Sequence, residues 1–497
     1  MSHTLPLAPS PAACLAAALG RALPVLPVVA VIATLALPVL PSTEGGATAA
    51  DGVSGLVVVC CAVRLLRYRR RPLSPTAAVV LGLPVLGVAV AAAGAGSTGA
   101  AASGMVRYLQ VFVLVPLAVL LLVRGRRDFR LLAWSFVGLA LWQGAIGVRQ
   151  YLTGTGASYM GEDIRAVGTF GATDVMGMST VVSLGLVCAA GLALGDGPAR
   201  RRTAAGACAL VLCVPLALSF SRGAWIATVL TCAAQLLLAG PRRAVRVGAA
   251  VTAAAVILVG GVGAGSAMLQ ERMTSITRVT GTPDQSVVDR YTMWAAAVDM
   301  WRAEPLTGVG LKGFPDHRDG HASLALSSGS DVEGAGAQYR RQPLLSPHNM
   351  YLLVLGEQGL VGLVALAGSW LALLVCALRG LARVRRTPSG LDCALVACGL
   401  LVWQLTDFVY ADIGGPSTVL TAVCLGLVGW WALMDGTSGT SPATSASARP
   451  GPDAGPVPGA GSSSDVSPPP GAAPAPEGPE PSSAPRSPGT PEEASAR

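Results

Sequence analysis

Charged residues are scarce in this sequence. Aspartate, glutamate, lysine and arginine make up only 12% of the 497 residues, whereas hydrophobic residues make up 52% and the mean hydropathy is +0.57. Soluble domains contain about 25% charged residues, so this shortage excludes a water-soluble globular protein. It predicts a chain whose apolar runs are organised by a membrane.

The sequence also lacks the cysteine pattern of a metal or disulfide site. Its 11 cysteines lie in apolar segments or near the N-terminus, without metal-ligand spacing. We interpret these cysteines as small core residues, and we expect no disulfide, no metal and no cofactor. The formal charge of +8 comes largely from arginines in short connections between apolar runs. Such arginines are ordinarily orientation signals, so we expect a lipid bilayer and no nucleic acid as partner.

Long apolar runs fill most of the chain and predict an all-α polytopic membrane protein with about twelve transmembrane helices. The predicted spans are 22–40, 48–66, 73–94, 105–123, 131–148, 175–194, 203–218, 223–239, 248–264, 350–378, 391–410 and 415–434. The first run is interpreted as a retained helix, because further spans follow it without a convincing cleavage site.

Arginine clusters predict the orientation of these spans, because each cluster follows an even-numbered span. The clusters lie within 64–71, 124–130, 200–202, 242–246 and 379–386. By the positive-inside rule, both termini of this multi-pass protein of the cytoplasmic membrane would be cytoplasmic. A large extracytoplasmic loop would then lie between spans 9 and 10.

The pattern divides the chain into three predicted regions. Residues 1–104 form N-terminal spans, residues 105–434 form a second membrane domain that includes the loop 265–349, and residues 435–497 form a tail. The tail is rich in proline, serine, glycine and alanine, which predicts a disordered cytoplasmic segment.

Two arginines accompany short, glycine-containing connections on the predicted outer face. Arg165 precedes Gly168 and Gly171, whose backbone could approach a ligand, although a glycine-rich turn explains them equally well. Arg222 lies in a tight turn between two spans, where it could clamp a phosphate. A lone arginine there is ordinarily explained by contact with lipid headgroups.

A third cluster begins at Arg290 and runs to Pro305. Aromatic residues at helical spacing within it, including Tyr291 and Trp294, predict an amphipathic helix on the membrane surface. Interfacial anchoring explains the aromatics but not the arginine.

The fourth cluster is His348-Asn349, at the start of span 10. A histidine at the outer surface could accept a proton from a hydroxyl group, although a lone histidine at a helix end is more often structural. Two acidic residues inside spans, Glu357 and Asp407, are candidates to orient His348 or to bind acceptor hydroxyls. Pairing with an arginine is their ordinary explanation.

These segments together resemble the family of O-antigen ligases and polysaccharide polymerases. His348-Asn349, followed by Gly359 and Gly362, is similar to that family's histidine motif at the start of the span after its large loop. The other three arginine segments resemble family segments in the same chain order, and the likeness covers roughly 105–434.

The resemblance implies a glycosyltransferase with a polyprenyl-phosphate-sugar-type membrane fold. The enzyme would transfer or polymerise a glycan from an undecaprenyl-pyrophosphate-linked donor onto an acceptor hydroxyl at the outer face of the membrane. Arg222, Arg290 and Arg165 would bind the donor pyrophosphate without a metal, and His348 would be the catalytic base. Asn349, Glu357 and Asp407 would have supporting roles, and attack opposite the pyrophosphate would invert the anomeric carbon.

The sequence leaves a rival class open. A flippase or transporter of lipid-linked glycans would also have a dozen helices and a positive groove. Transporters place ionisable groups near the midplane and carry internal repeats. Here Arg107, Glu357 and Asp407 fall towards the predicted outer ends of spans, and no repeat is visible. These features favour the enzyme, while the choice between ligase and polymerase stays open.

Overall fold

The computed structural model of the protein describes residues 23–38, 48–68, 73–159, 165–249, 285–327, 330–334, 340–342, 344–386 and 389–433. The predicted tail, 435–497, lies outside these residues, as does almost all of the predicted ninth span, 248–264.

The described chain is mostly helical. Its α-helices are α1 (Leu26–Thr34), α2 (Ala49–Tyr68), α3 (Pro75–Ala93), α4 (Thr98–Leu109), α5 (Val115–Leu122), α6 (Arg126–Thr153), α7 (Gly177–Leu194), α8 (Ala199–Leu218), α9 (Arg222–Ala239), α10 (Gln285–Ala303), α11 (Phe314–His321), α12 (Met350–Val384), α13 (Leu391–Asp407) and α14 (Thr418–Leu433). A π-helical turn, Gln110–Leu114, joins α4 to α5.

Eight helical segments in the described part of the chain are long and apolar enough to cross a membrane. They are α2, α3, the continuous run Thr98–Leu122, α6, α7, α8, α9 and α12. Three further predicted spans correspond to shorter helices, since α1 has 9 residues, α13 has 17 and α14 has 16. The protein is therefore a polytopic, mostly helical membrane protein, and the count of twelve spans stays a prediction.

Several helices begin where a serine can cap the backbone. The Ser74 hydroxyl accepts a hydrogen bond from the Ala77 amide (3.1 Å) at the start of α3. Ser97 does the same for Ala100 (3.0 Å) at the start of α4. These bonds satisfy amides that have no partner within the helix, which fixes where each apolar run enters its helix.

A small antiparallel sheet was not predicted. Its strands are β1 (Ala157–Tyr159), β2 (Ser330–Gly334) and β3 (Arg340–Gln342), in the spatial order β1-β2-β3. The sheet joins the connection after α6 to the loop before α12. It thus ties together two of the segments that the sequence assigns to one face of the membrane.

One end of the helical bundle gathers the arginine-rich connections, and we call it the basic end. It comprises the connections 124–130, 195–202, 240–246 and 385–392. Arg126 donates to the Ser389 carbonyl (2.9 Å), Arg130 pairs with Asp392 (2.5 and 3.0 Å) and Arg243 donates to the Leu194 carbonyl (2.8 Å). Four of the predicted clusters thus have members at the same end of the fold.

The opposite end, which we call the cavity end, joins other connections. Arg107 on α4 pairs with Asp51 on α2 (2.6 Å) and donates to the Gly415 carbonyl (3.0 Å) before α14. The Ala166 amide donates to the Leu218 carbonyl (3.2 Å), which joins the connection before α7 to the end of α8. The cavity described below opens among these connections.

Helix α12 is broken near its start, and the loop after α10 docks on the break. Gly359 adopts φ 63° and ψ −164°, which frees backbone groups from the helical pattern. The Leu360 amide donates to the Pro305 carbonyl (2.9 Å), and the Gly310 amide donates to the Glu357 carbonyl (3.0 Å). A Cβ on Gly308 would lie 2.5 Å from the Glu357 carbonyl carbon, so this approach requires glycine.

Candidate active site

A cavity of about 540 Å³ opens at the cavity end. Five parts of the chain contribute lining residues, within 157–180, 220–226 and 287–294, at residue 348 and within 404–421. Its size falls within the range of about 300–1,000 Å³ that is usual for small-molecule sites.

The cavity brings together five of the residues that the sequence singled out. They are Arg165, Arg222, Arg290, His348 and Asp407. Residues up to 242 positions apart in the chain therefore share one space. Two candidates do not line the cavity, namely Asn349 and Glu357, and their placement is described below.

His348 is held by bonds on both sides of its backbone. The Trp294 indole donates to the Pro347 carbonyl (2.8 Å). After the histidine, the Met350 amide donates to the carbonyls of Phe408 (2.9 Å) and Ala411 (3.0 Å). His348 itself has φ 48°, a left-handed conformation that costs a residue with a side chain about 1–3 kcal/mol. The surrounding bonds maintain this strained backbone, which directs the imidazole into the cavity.

An acidic residue faces this imidazole. Nδ1 of His348 lies 3.9 Å from Oδ2 of Asp412, which is too far for a hydrogen bond but close enough for charge attraction. Asp412 accepts hydrogen bonds from the Ser346 hydroxyl and from the Gly414 amide (3.1 Å). These bonds fix the carboxylate beside the histidine.

The pKa of His348 is lowered from its ordinary value. Burial by the surrounding protein is the main cause, and the nearby Arg290 adds to it, while Asp412 opposes both. The side chain lines the cavity and is 46% exposed. The lowered pKa favours the neutral imidazole, and this is the form that accepts a proton.

Arg222 occupies the first position of α9. Ser221 caps the helix by accepting from the Ala224 amide (3.3 Å), and the preceding Phe220 has φ 50°. The turn between α8 and α9 is therefore tight and its shape is fixed. A helix N-terminus carries partial positive charge, so an arginine placed there adds to a field that favours an anion.

Arg165 is fixed by an isolated β-bridge. Its amide donates to the Ala157 carbonyl (2.7 Å) and its carbonyl accepts from the Ala157 amide (3.0 Å). Gly168 does not line the cavity; its amide donates to the Gln150 side chain (2.8 Å). A Cβ on Gly168 would lie 2.3 Å from Oε1 of Gln143, so close packing accounts for this glycine.

Arg290 lies on α10, which packs against α12 of the same protein. Met293, Ala297 and Met300 of α10 are fully buried, whereas Tyr291 is 61% exposed. The expected helix is present, and its placement on the membrane surface stays a prediction.

Asn349 and Glu357 have structural partners. Oδ1 of Asn349 accepts from the Leu352 amide (3.1 Å) and so caps α12, directly after His348. Glu357 is 2% exposed and accepts from the Phe314 amide (3.3 Å) beneath the loop docked on the α12 break. Asn349 therefore acts on the backbone that carries the histidine, and Glu357 lies behind the cavity wall.

The polar lining residues that sequence reasoning missed include Asp174, Gln404 and Asp412. Oδ2 of Asp174 accepts from the Ser417 amide (3.2 Å), and burial raises the pKa of this carboxyl. Asp174 and Asp412 stand in connections between helices, where acids are common. Their only signal in the sequence is position, because both connections follow spans whose predicted orientation brings them to the outer face.

Long apolar helices around a polar cavity at one end define a multi-pass membrane protein. Residues 207–367 match the family model described as O-antigen ligase, which confirms the predicted resemblance. The matched segment includes Arg222, Arg290 and His348 and excludes Arg165 and Asp407. No curated protein matches the chain. The match supports glycan transfer of the ligase or polymerase kind as the activity of this protein.

Proposed function

We propose that this protein is a membrane glycosyltransferase that uses a glycan on undecaprenyl pyrophosphate as its donor. It transfers or polymerises that glycan onto an acceptor hydroxyl at the outer face of the cytoplasmic membrane. The observation that carries the proposal is the single cavity lined by three arginines and a histidine from four separate segments.

The arginines are suited to the pyrophosphate. Guanidinium groups bind phosphate oxygens through two parallel hydrogen bonds, and Arg222 acts together with the N-terminus of α9. As the bond to the sugar breaks, negative charge grows on the departing pyrophosphate. Arg165, Arg222 and Arg290 stabilise this charge without a metal, while the lipid chain of the donor lies among the apolar helices.

His348 is suited to activate the acceptor. Its lowered pKa keeps the imidazole neutral near pH 7, so it can remove the proton of the attacking hydroxyl. The acceptor oxygen bonds to the anomeric carbon, the bond from that carbon to the pyrophosphate breaks, and undecaprenyl pyrophosphate leaves. Asp412 then stabilises the imidazolium at 3.9 Å. Attack opposite the leaving group inverts the anomeric carbon.

The two ends of the bundle support the outer-face assignment. Arginine-rich connections remain preferentially in the cytoplasm, and those of this protein gather at the basic end. The cavity lies at the other end. In this orientation the termini of the protein are cytoplasmic and the donor is used after it has reached the outer leaflet.

Reconstitution separates this enzyme from a flippase. The full chain is placed in liposomes with an undecaprenyl-pyrophosphate-linked glycan and membranes that supply acceptor. An enzyme releases undecaprenyl pyrophosphate and forms a larger glycan, both of which mass spectrometry detects. Movement of unchanged donor between leaflets, with no released undecaprenyl pyrophosphate, would contradict the proposal.

A further inference from the structure

Besides the arginines and His348, the cavity is lined by polar side chains that lie on helices. We call Gln404, Asp407, Thr421 and Thr180 the polar floor; all four line the cavity. Gln404 and Asp407 are three residues apart on α13 and therefore share one face of the helix. Thr421 and Thr180 lie near the starts of α14 and α7, about one helical turn in from the cavity end.

Gln404 has a buried polar atom without a protein partner. Its side chain is 3% exposed, and in the described part of the chain no group hydrogen-bonds its Oε1. Buried polar groups are nearly always satisfied, so an orphaned oxygen at a cavity wall points to a ligand that supplies the missing donor.

The chemistry of the polar floor fits a sugar. A carboxylate accepts hydrogen bonds from hydroxyls, and carboxamide and threonine hydroxyl groups both donate and accept. The lining also includes Tyr410 and Trp294, whose rings can pack on the apolar face of a pyranose. A lipid chain would leave these polar groups unpaired.

We propose that the polar floor binds the hydroxyls of a pyranose, so that the cavity holds sugar there and pyrophosphate at the arginines. This inference rests on the proposed function and specifies its substrate. The sugar is either the residue bonded to the donor pyrophosphate or the terminal residue of the acceptor. Both present the same hydroxyl chemistry, and the experiment below distinguishes them.

The test compares two lipids in the wild-type full chain and in two variants. The probes are undecaprenyl pyrophosphate and undecaprenyl-pyrophosphoryl-N-acetylglucosamine, with binding measured in nanodiscs. The variants are Gln404→Leu and Thr421→Val. The control is Thr231→Val, because the Thr231 hydroxyl is also buried without a partner but does not line the cavity.

If the donor supplies the sugar, each floor variant weakens binding of the sugar-bearing lipid by roughly tenfold, as expected for one lost hydrogen-bonding group. Binding of undecaprenyl pyrophosphate stays within about twofold of wild type, as it does for Thr231→Val. If the acceptor supplies the sugar, binding of both lipids is unchanged. The concentration of acceptor membranes needed for half-maximal transfer then rises by a similar factor.

Three results would overturn the inference. The first is that a floor variant weakens binding of both lipids equally, and the second is that Thr231→Val causes the same loss of binding. The third is that the floor variants match wild type in both binding and transfer. If the wild-type protein binds both lipids and one of these three results is found, the polar floor alone is refuted. A wild-type protein that binds neither lipid and transfers nothing would refute the proposed function as well.

Discussion

The basic end and the cavity end of the bundle both hold arginines, but the surroundings of these arginines differ. At the basic end, Arg126 and Arg243 donate to carbonyls of neighbouring connections, and Arg130 pairs with Asp392. At the cavity end, Arg222 and Arg290 line an open cavity beside a histidine. The first set joins neighbouring connections, whereas the second set is arranged around a cavity whose size fits a ligand.

The comparison shows why arginine content alone predicts little. Arg126 and Arg222 each stand at the first position of an apolar helix, α6 and α9, so their position in the sequence does not distinguish the two sets. Function depends on what the guanidinium faces. The proposals above therefore predict that equal substitutions at the two ends have unequal consequences.

The largest effect is expected for His348→Ala. General-base catalysis contributes about 10²- to 10⁴-fold, so transfer should fall within that range. Binding of undecaprenyl pyrophosphate should change little, because it depends on the arginines. Both quantities are measured on reconstituted protein, with His321→Ala as control, since His321 does not line the cavity. Wild-type transfer by an inserted His348→Ala protein would remove the histidine from the mechanism.

A smaller effect should separate the two sets of arginines. Arg222→Lys and Arg290→Lys keep the charge but lose the planar fork, so turnover should fall by about 10- to 100-fold. Arg126→Lys, at the basic end, should stay within about twofold of wild type. The initial rate of undecaprenyl pyrophosphate release measures both. Equal losses of turnover in the variants at the two ends would contradict the proposed difference between the two sets of arginines.

Arg107 tests whether the cavity end depends on support from outside the cavity. Its bonds to Asp51 and to the Gly415 carbonyl hold the connection that carries Asp412. Arg107→Gln should lower turnover by about 3- to 10-fold, the cost of one such bond, with donor binding within about twofold. The ratio of turnover to donor affinity is the readout. A fall in affinity as large as the fall in turnover would instead make Arg107 part of the donor site.

The smallest expected effect is a displaced pH profile. Transfer should decline as acid protonates His348, at a pH below its ordinary pKa of about 6.5 because burial and Arg290 lower that pKa. Asp412 raises the pKa, so Asp412→Asn should move the decline to lower pH. Arg290→Gln removes a lowering charge and should move it to higher pH. If the chemical step limits the rate, a rate of transfer that stays constant between about pH 5 and 8 would exclude the titration of His348 from the mechanism.

The sequence predicted the helical membrane class and five cavity residues, because ionisable groups are rare in an apolar chain and are therefore conspicuous. It could not predict Asp412 or Gln404 as partners of that site. In the sequence, nothing distinguishes Gln404 from other residues of α13. Only the tertiary packing brings it into the same cavity lining as Thr180 and Thr421. The small sheet was missed for the same reason, since β1 and β2 are separated by 170 residues.

The glycines of the histidine segment show a different limit. Gly359 belongs to the pattern that resembles the family, yet its position in the fold serves the docking of the loop after α10. A Cβ on Gly359 would lie 2.4 Å from the Leu306 carbonyl carbon. The spacing of the glycines in the sequence indicates that a glycine is required at this position. It does not show that the requirement comes from packing and not from a ligand.

The most direct test of the account is the side of the membrane on which transfer occurs. An epitope inserted at Gly197, an exposed position in a connection of the basic end, marks that end without disturbing neighbours, since nothing lies within 4 Å of a Cβ built there. Vesicles of known tag orientation receive the lipid-linked donor and acceptor in one leaflet at a time. The account predicts product only when both substrates are in the leaflet opposite the epitope, and product formed only in the same leaflet as the epitope would contradict it.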